Sequence, residues 1–324
     1  MKNFLKKIGL FLIVFIVINM IINYTYELPA KKAIENKIHK NFLKWTDIHN
    51  NKNTYDLVTI GASRAYTAFN PKILDSALNL ESYNMGTSAQ DIAESYYTLK
   101  EVLDYQNPKY IVLDLFFPSS DNEHDYYQIY SNASFFTSNN YKYDLVTEGY
   151  GGTGVANYFI PAIKFKNYIK QDLNGLFSKG NTAKQEVNWI KGFLYDTVTV
   201  TKKQIDKFTP ISDFQNTAFD EVRFKTYFNK IKTITKENNI KLICVRTPYP
   251  PSRLALNKVD DEGIFFKEFM ATTEIPFYDL NSYRSATYKY NDFDFSDYHH
   301  PNFRGAQKAS MQLVEAIKKD IKQN

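Results

Sequence analysis

Three side chains of the types that carry out acyl transfer stand at two separated points of the sequence. Ser63 follows the apolar run Tyr55–Ile60, and Asp297 and His300 stand three residues apart near the C-terminal end. A serine directly after a strand lies at a strand-to-helix turn, where its hydroxyl is exposed and helix N–H groups are close. A carboxylate beside a histidine fixes the imidazole tautomer and leaves the other ring nitrogen to face a serine. These residue types predict an acyl-transferring serine site.

Each feature also has a plainer interpretation. A serine at the start of a helix often only caps that helix, and the segment 294–302 can be a polar loop before the last helix. A metal-dependent phosphoesterase is a further alternative, because four potential ligands lie close together in the sequence: Asp294, Asp297, His299 and His300. Apart from Asp121 and His124 in the insertion, the rest of the sequence supplies no ligand cluster to match them. We therefore predict no metal and no cofactor.

The elements that position these residues are predicted by apolar periodicity. Short β-branched runs alternate with helical patterns, which is typical of right-handed βαβ units and a parallel sheet covered by helices on both faces. Five strands are predicted, at Tyr55–Ile60, Leu80–Asn84, Lys109–Leu115, Lys241–Val245 and Pro276–Leu280. Helices are predicted at 71–79, Ser88–Tyr105, Asp220–Asn238, Gly263–Thr272 and Asn302–Lys322. Ligands of such sheets bind beyond the carboxyl ends of the strands, where Ser63 stands.

The second and fourth predicted strands lead to further candidate site residues. Gly86 follows the second strand, and its N–H is a candidate oxyanion donor beside the N–H of Ser63. Arg64, Asn84 and Arg246 are candidate substrate contacts, since each stands at or just beyond the end of a predicted strand.

These blocks together resemble the SGNH/GDSL hydrolase superfamily, in which Ser comes first and Asp and His come together near the C-terminus. The matching residues are Gly61, Ser63 and Pro71 after the first strand, Asn84 and Gly86 after the second, and Asp297, His300 and Asn302 before the final helix. The resemblance covers about residues 55–118 and 240–320.

The resemblance implies a flavodoxin-like three-layer α/β/α fold with a parallel sheet. It also implies that Ser63 is the nucleophile, His300 the general base and Asp297 its orienting partner, with the N–H groups of Ser63 and Gly86 forming the oxyanion hole. The sequence departs from the family where Gly-Ala-Ser replaces Gly-Asp-Ser and where no asparagine follows the third strand until Asn122. That asparagine usually completes the oxyanion hole, so Arg64 or Arg246 is the candidate substitute.

Residues 1–30 are predicted to form a transmembrane anchor. Lys2, Lys6 and Lys7 precede the run Ile8–Ile22, and the apolar stretch of about 20 residues is long enough to cross a bilayer. Positive charge before the stretch keeps the N-terminus cytoplasmic and places the rest outside. A cleaved signal peptide and a buried core helix are the alternatives.

Residues 31–54 are predicted to form a stalk helix or linker, lying on the membrane or packed on the domain. Residues 55–324 form the predicted α/β domain. An Asn- and Tyr-rich insertion at about 119–215 interrupts it, with helix-like pieces near 155–175 and 184–195. Long insertions at this position often shape a binding site.

Composition excludes several classes of protein. Hydrophobic residues make up 44% of the 324 residues, which is incompatible with a disordered chain. The single cysteine, Cys244, excludes a disulfide scaffold and a cysteine-cluster metal site. Residues 1–50 carry eight lysines and three acids, whereas the rest carries 32 basic and 32 acidic residues, so no nucleic-acid partner is expected.

The predicted function is an extracytoplasmic acyl-ester hydrolase or O-acyltransferase that acts on a cell-surface glycan or polymer through an acyl-Ser63 intermediate. The resemblance extends to a membrane-anchored branch of the superfamily, whose members usually work beside a multi-spanning membrane acyltransferase. The alternative is a non-catalytic scaffold on the same fold that partners such an enzyme. An enzyme requires Ser63 and His300 near hydrogen-bond distance, whereas a separation beyond ~6 Å favours the scaffold.

Overall fold

The computed structural model describes residues 2–35, 40–115, 132–164, 166, 169–170, 188–211, 219–257, 259–282 and 288–322. The candidate ligands Asp121 and His124 lie outside these ranges, as does Asn122.

A five-stranded parallel sheet forms the centre of the domain, and a two-stranded antiparallel hairpin forms a second, smaller sheet. The strands are β1 (Leu57–Ile60), β2 (Ser82–Asn84), β3 (Tyr110–Asp114), β4 (Asn188–Ile190), β5 (Phe193–Tyr195), β6 (Lys241–Arg246) and β7 (Phe277–Asp279). The order in the sheet is β2-β1-β3-β6-β7, and Leu57 of β1 pairs with Ser82 on one side and Tyr110 on the other. This is the flavodoxin-like order, in which ligands bind between β1 and β3.

Helices cover both faces of the sheet. They are α1 (Lys2–Glu35), α2 (Lys40–Asn50), α3 (Ser63–Ala68), α4 (Pro71–Leu78), α5 (Ile92–Leu103), α6 (Asn139–Asp144), α7 (Tyr150–Phe159), α8 (Pro161–Lys164), α9 (Lys202–Ile205), α10 (Glu221–Glu237), α11 (Pro251–Ala255), α12 (Asp261–Ala271) and α13 (Phe303–Lys322). A π-helical turn at Leu145–Gly149 joins α6 to α7, and a 3₁₀ turn covers Asp292–Asp294. The predicted strands and long helices are all present within one to four residues of their expected ends.

The strands present alternate residues to two separate cores. On one face, Val58 and Ile60 pack with residues of α2, α5, α10 and α12. On the other face, Leu57 packs with residues of α3, α4 and α13. Alternation within continuous apolar strands is what burial on both faces of a parallel sheet requires. The predicted three-layer α/β/α fold is therefore confirmed.

The helix after β2 begins later than the sequence suggests. The predicted helix begins at Ser88, but α5 starts at Ile92, and the side chain of its N-cap Asp91 accepts the N–H of Glu94 at 2.8 Å. An aspartate is an equally good N-cap. Ser88 stays outside the helix and faces α2, where its hydroxyl accepts a hydrogen bond from Lys40.

The segment 188–195 forms a β-hairpin instead of the helix that we expected. Lys191 and Gly192 both have positive φ, at 46° and 80°, as a two-residue turn of type I′ requires. The hairpin joins the free edge of β2, because the carbonyl of Lys191 accepts the N–H of Asn84 at 3.0 Å. This contact, between residues far apart in the chain, overrides the local helical pattern.

The N-terminal helix α1 contains a stretch, Lys2–Tyr26, that is long and apolar enough to span a membrane or act as a signal anchor. The following helix α2 packs on the domain, since Trp45 and Ile48 are buried in the same core as β1. Trp45 Nε1 also donates to Asn132 Oδ1 at 2.8 Å. Residues 40–50 therefore contribute to the folded body.

A buried ion-pair network joins β6, β7 and the start of α12. The guanidinium of Arg246 is fully buried and donates to Asp260 at 2.6 Å, to Glu262 at 2.9 Å and to Asp279 at 3.1 Å. We expected Arg246 to contact substrate, but every side of its guanidinium faces a carboxylate inside the protein. Its role here is structural.

We expect Arg246→Met to lower the free energy of unfolding by about 3–5 kcal/mol, because it leaves buried carboxylates without their countercharge. Lys225→Met is the matched control, since Lys225 pairs with Glu221 at the surface and such pairs contribute about 0.3–0.5 kcal/mol. Urea unfolding of the full chain in detergent, followed by circular dichroism, measures both. Equal midpoints for the two variants would contradict the structural role of Arg246.

Candidate active site

The turn after β1 places Ser63 at the carboxyl edge of the sheet. Gly61 has φ +154°, and a Cβ at this position would lie 2.7 Å from the Cβ of Asp114 on the neighbouring strand. Only glycine permits this close approach. Ala62 then serves as the N-cap residue, and Ser63 is the first residue of α3. Its N–H therefore belongs to the first helical turn, whose N–H groups have no acceptor within the helix.

The loop after β2 holds α3 in place. The Asn84 side chain is fully buried, and its Nδ2 donates to the carbonyls of Ala65 and Phe69, each at 2.9 Å. Its Oδ1 accepts the N–H of Gly86 at 3.0 Å. A Cβ on Gly86 would lie 3.0 Å from the N atom of Tyr66, so the loop and α3 are in direct contact.

These contacts change the roles that we expected for Asn84 and Gly86. Asn84 holds α3 from within the protein and has no exposed surface for a substrate. Gly86, the expected second oxyanion donor, has its N–H already engaged by the Asn84 side chain in this structure. Both residues position Ser63.

The loop before α13 presents Asp297 and His300. The Ser296 N–H donates to the carbonyl of His300 at 2.9 Å, which closes the loop into a tight turn. Asn302 anchors it, because its Nδ2 donates to the carbonyl of Phe293 at 2.9 Å and its Oδ1 accepts the N–H of Arg304 at 3.0 Å. Asn302 thereby caps α13 and fixes the backbone on which His300 stands.

Ser63, His300 and Asp297 form a continuous hydrogen-bonded chain. Ser63 Oγ lies 2.8 Å from His300 Nε2, and His300 Nδ1 lies 2.7 Å from Asp297 Oδ2. Asp297 Oδ1 accepts the N–H groups of His299 and His300, each at 2.8 Å. Burial raises the pKa of the Asp297 carboxyl, but the hydrogen bond and charge of His300 outweigh it and hold that pKa well below its ordinary value. Asp297 is therefore a carboxylate at neutral pH.

The neighbouring His299 packs on the ring of His300 at a centroid distance of 3.8 Å. Burial is the main cause that lowers the pKa of His299, and the charges of His300, Arg64 and Arg253 lower it further. His299 is thus a neutral side chain at the edge of the hydrogen-bonded chain.

A metal site at this loop loses one of its expected ligands. The nitrogen and oxygen ligand atoms of Asp297, His299 and His300 lie within 4.8 Å of one another and could hold an ion. Asp294, the fourth expected ligand, is buried elsewhere, where its Oδ2 accepts a hydrogen bond from Lys308 at 2.6 Å. Asp297 and His300 also already share a hydrogen bond that a metal would have to displace.

Arg64 lies beneath the site, contrary to our expectation of a substrate contact. Its side chain is fully buried, stacks on the Tyr249 ring at 3.7 Å and donates to the carbonyl of Thr247. Asp114 lies beside it and accepts the N–H of Thr247 at 3.1 Å. Burial raises the pKa of Asp114 to about 6, against the opposing effects of Arg64 and Thr247.

The structure adds a group of lysines that we did not predict. Lys44 is buried on α2 and donates to the carbonyl of Gly86, while Lys40 donates to Ser88 Oγ. Burial lowers the pKa of Lys40 to about 8 and lowers the pKa of Lys44 well below its ordinary value. The two lysines stand four residues apart on one helix face, but nothing in their spacing shows that this face meets the loop after β2.

The hairpin also contributes to the wall of the site. Trp189 of β4 packs edge-on against Tyr66 of α3 at 5.5 Å, and Lys44 Nζ lies 5.3 Å from the Trp189 ring centre. Tyr66 stands three residues after Ser63 on α3, and burial raises its pKa, as does the charge of Asp297. Part of the insertion therefore lies beside the candidate active site.

No protein-family model matches the chain, and no curated protein matches it. Among solved structures, the chain is similar to a candidate acylhydrolase from Bacteroides fragilis, with 12% identity over 82% of this chain and 86% of that chain and a TM-score of 0.38. It is also similar to a GDSL-like lipase from Bacteroides thetaiotaomicron (10% identity, 82% and 88% of the chains, TM-score 0.38). A candidate lipolytic protein of the G-D-S-L family from Desulfitobacterium hafniense is a third (12% identity, 80% and 98%, TM-score 0.38). Similarity at this level does not identify a function, so the proposal below depends on the geometry of the site.

The raised pKa of Asp114 predicts a pH-dependent effect on stability. Because the pKa of this acid is higher in the folded state, the carboxyl lowers stability as the pH rises from about 4 to about 6. Asp114→Asn removes this contribution, so we expect the variant to gain stability relative to the parent protein across that range.

Urea midpoints of the full chain in detergent, at about pH 4.5 and about pH 7.5, measure this difference. Glu221→Gln on the exposed surface of α10 is the control. A difference between Asp114→Asn and the parent that stays the same at both pH values would be evidence against a buried, high-pKa carboxyl.

Proposed function

We propose that the protein is a serine acyl hydrolase or O-acyltransferase that works through an acyl-Ser63 intermediate. The observation that carries the proposal is the 2.8 Å distance between Ser63 Oγ and His300 Nε2, with Asp297 bound to the other ring nitrogen. A nucleophile, a base and an orienting carboxylate in this arrangement are recognised by geometry and not by sequence position.

In the proposed reaction, Ser63 Oγ attacks the acyl carbon while His300 Nε2 accepts the hydroxyl proton. Asp297 stays ionised and stabilises the imidazolium through its bond to Nδ1–H. His300 then gives the proton to the leaving oxygen, and the ester bond to the leaving group breaks. Water or an acceptor hydroxyl next attacks the acyl-serine, again with His300 as base, and the free Ser63 hydroxyl is restored.

The Ser63 N–H, in the first turn of α3, is the proposed donor to the oxyanion. A second donor from Gly86 requires the loop after β2 to rearrange, since Asn84 Oδ1 holds that N–H at 3.0 Å. Loss of one such donor costs about 10²–10³ in rate. With the Gly86 N–H engaged by Asn84, we therefore expect slow turnover.

The acceptor that we propose is a hydroxyl of a cell-surface glycan or polymer outside the membrane. Two features support this: the apolar helix within α1, and the lysines that precede its apolar run. A multi-spanning membrane acyltransferase is the proposed partner that supplies the acyl group. The alternative, a non-catalytic scaffold, is disfavoured by the short distance between Ser63 and His300.

A fluorophosphonate probe tests the activated serine. Ser63 Oγ bonds to phosphorus and fluoride leaves, so we expect one adduct in the intact mass of the full chain in detergent. Ser63→Ala should give none, and Ser88→Ala, which removes the hydroxyl beside Lys40 and Tyr66, should label normally. Adduct formation on Ser63→Ala, or none on the folded parent protein, would exclude Ser63 as an activated nucleophile.

The labelling rate also tests the role of Asp297. Asp297→Asn should slow labelling by up to about 10⁴-fold, because the imidazole loses its orienting charge and its tautomer. His299→Gln is the matched control, and we expect less than about a tenfold change because His299 is not in the hydrogen-bonded chain. Time courses of adduct mass give both rates. Equal slowing by the two substitutions would indicate that the loop packing, and not the carboxylate, activates Ser63.

A further inference from the structure

The short helix α8 of the insertion, which follows α7 directly, lies against the apolar N-terminal helix. Asn19, within the apolar stretch of α1, accepts the N–H of Ala162 on its Oδ1 at 3.0 Å. Its Nδ2 donates to the carbonyl of Phe15 at 2.9 Å, so both ends of the amide are used. Placing a polar side chain inside an apolar span costs free energy, and such a side chain normally forms a hydrogen bond with a partner group.

The contact lies below the end of the apolar stretch. Asn19 stands seven residues before Tyr26, where the stretch ends, and this corresponds to about 10 Å along a helix. If α1 spans a bilayer, Ala162 therefore lies about 10 Å below the level at which the apolar stretch ends. Ala162 is in the first turn of α8, whose N–H groups have no acceptor within the helix. Since lipid offers no hydrogen-bond acceptor, Asn19 supplies the one that this backbone group needs.

The composition of the segment fits the same environment. Tyr150–Ile163 carries no charged residue, and Phe159 leaves 59% of its surface exposed. Lysines follow at once, at Lys164, Lys166 and Lys170. An apolar helix followed by cations that reach the phosphate layer is typical of a segment at the membrane interface.

The other end of the segment is attached to the folded body. Tyr150 is buried, and the guanidinium of Arg223 on α10 lies 4.8 Å from its ring. The segment therefore runs from the α/β domain at Tyr150 to α1 at Ala162.

We propose that α7 and α8 insert into the lipid leaflet next to the domain, where they pack on α1 and form a second membrane attachment. The occupant of the exposed apolar face around Phe159 is the acyl chains of that leaflet. This attachment limits the rotation of the domain about α1, because two separated points of the chain are then held in the same membrane. The inference does not depend on the chemistry of Ser63.

Lipid-depth fluorescence quenching on the full chain tests the proposal. Cys244 is fully buried and burial raises its pKa, so a cysteine introduced at the surface takes a thiol-reactive fluorophore selectively. The reporters are Phe159→Cys and Ile163→Cys. Leu12→Cys in α1 is the control for the bilayer, and Val222→Cys, 77% exposed on α10, is the control for water.

In nanodiscs that contain lipids with a nitroxide on the acyl chain, both reporters should be quenched about twofold or more relative to the Val222→Cys label, since interfacial helices lie about 5–10 Å deep. Iodide, which quenches from the water, should instead quench the Val222→Cys label more than the labels at Phe159→Cys and Ile163→Cys. Quenching of Phe159→Cys and Ile163→Cys at the level of Val222→Cys would overturn the proposal. Failure of Leu12→Cys to be quenched would overturn it as well, because α1 would then lie outside the bilayer. The probe adduct on Ser63 is scored separately, so either proposal can fail alone.

Discussion

The close packing of the short helix α3 against the ends of β1, β2 and β3 is the constraint on which the site depends. Gly61 brings β1 within contact of Asp114 on β3, and Gly86 brings the loop after β2 against the backbone of α3. Asn84 joins these parts by donating to two α3 carbonyls and accepting the N–H of Gly86. Because neither glycine has room for a side chain, the position of Ser63 is determined by backbone contact and not by its own hydrogen bonds.

Two buried arginines lie below the carboxyl edge of the sheet, next to this packing. Arg64 and Arg246 are fully buried, and both use their guanidinium groups within the protein, one on Thr247 and Tyr249 and the other on three carboxylates. Of the two, Arg246 is paired with carboxylates, and removing one partner of such a buried pair leaves an uncompensated charge. Ser63, Asp297 and His300, by contrast, are half-buried and partly reach the surface of the candidate site.

The insertion connects the site with the N-terminal helix. Its hairpin extends the edge of the domain at β2 and places Trp189 against Tyr66, beside Ser63. Its helices α7 and α8 reach from Tyr150 in the body to Asn19 in α1. The insertion therefore contacts both the wall of the candidate site and the apolar N-terminal helix.

The sequence predicts the five strands, the long helices and the apolar N-terminal helix, because strand and helix periodicity are local. It also gives Ser63, Asp297 and His300 as candidate site residues, because parallel strands bring their carboxyl ends together. Only the tertiary structure decided which polar residues face inward. Arg246 meets carboxylates on other elements, and Gly86 meets the side chain of Asn84, and neither contact leaves a periodic mark in the sequence. The hairpin at 188–195 was missed for the same reason, since the Asn84 N–H that binds its turn comes from a distant part of the chain.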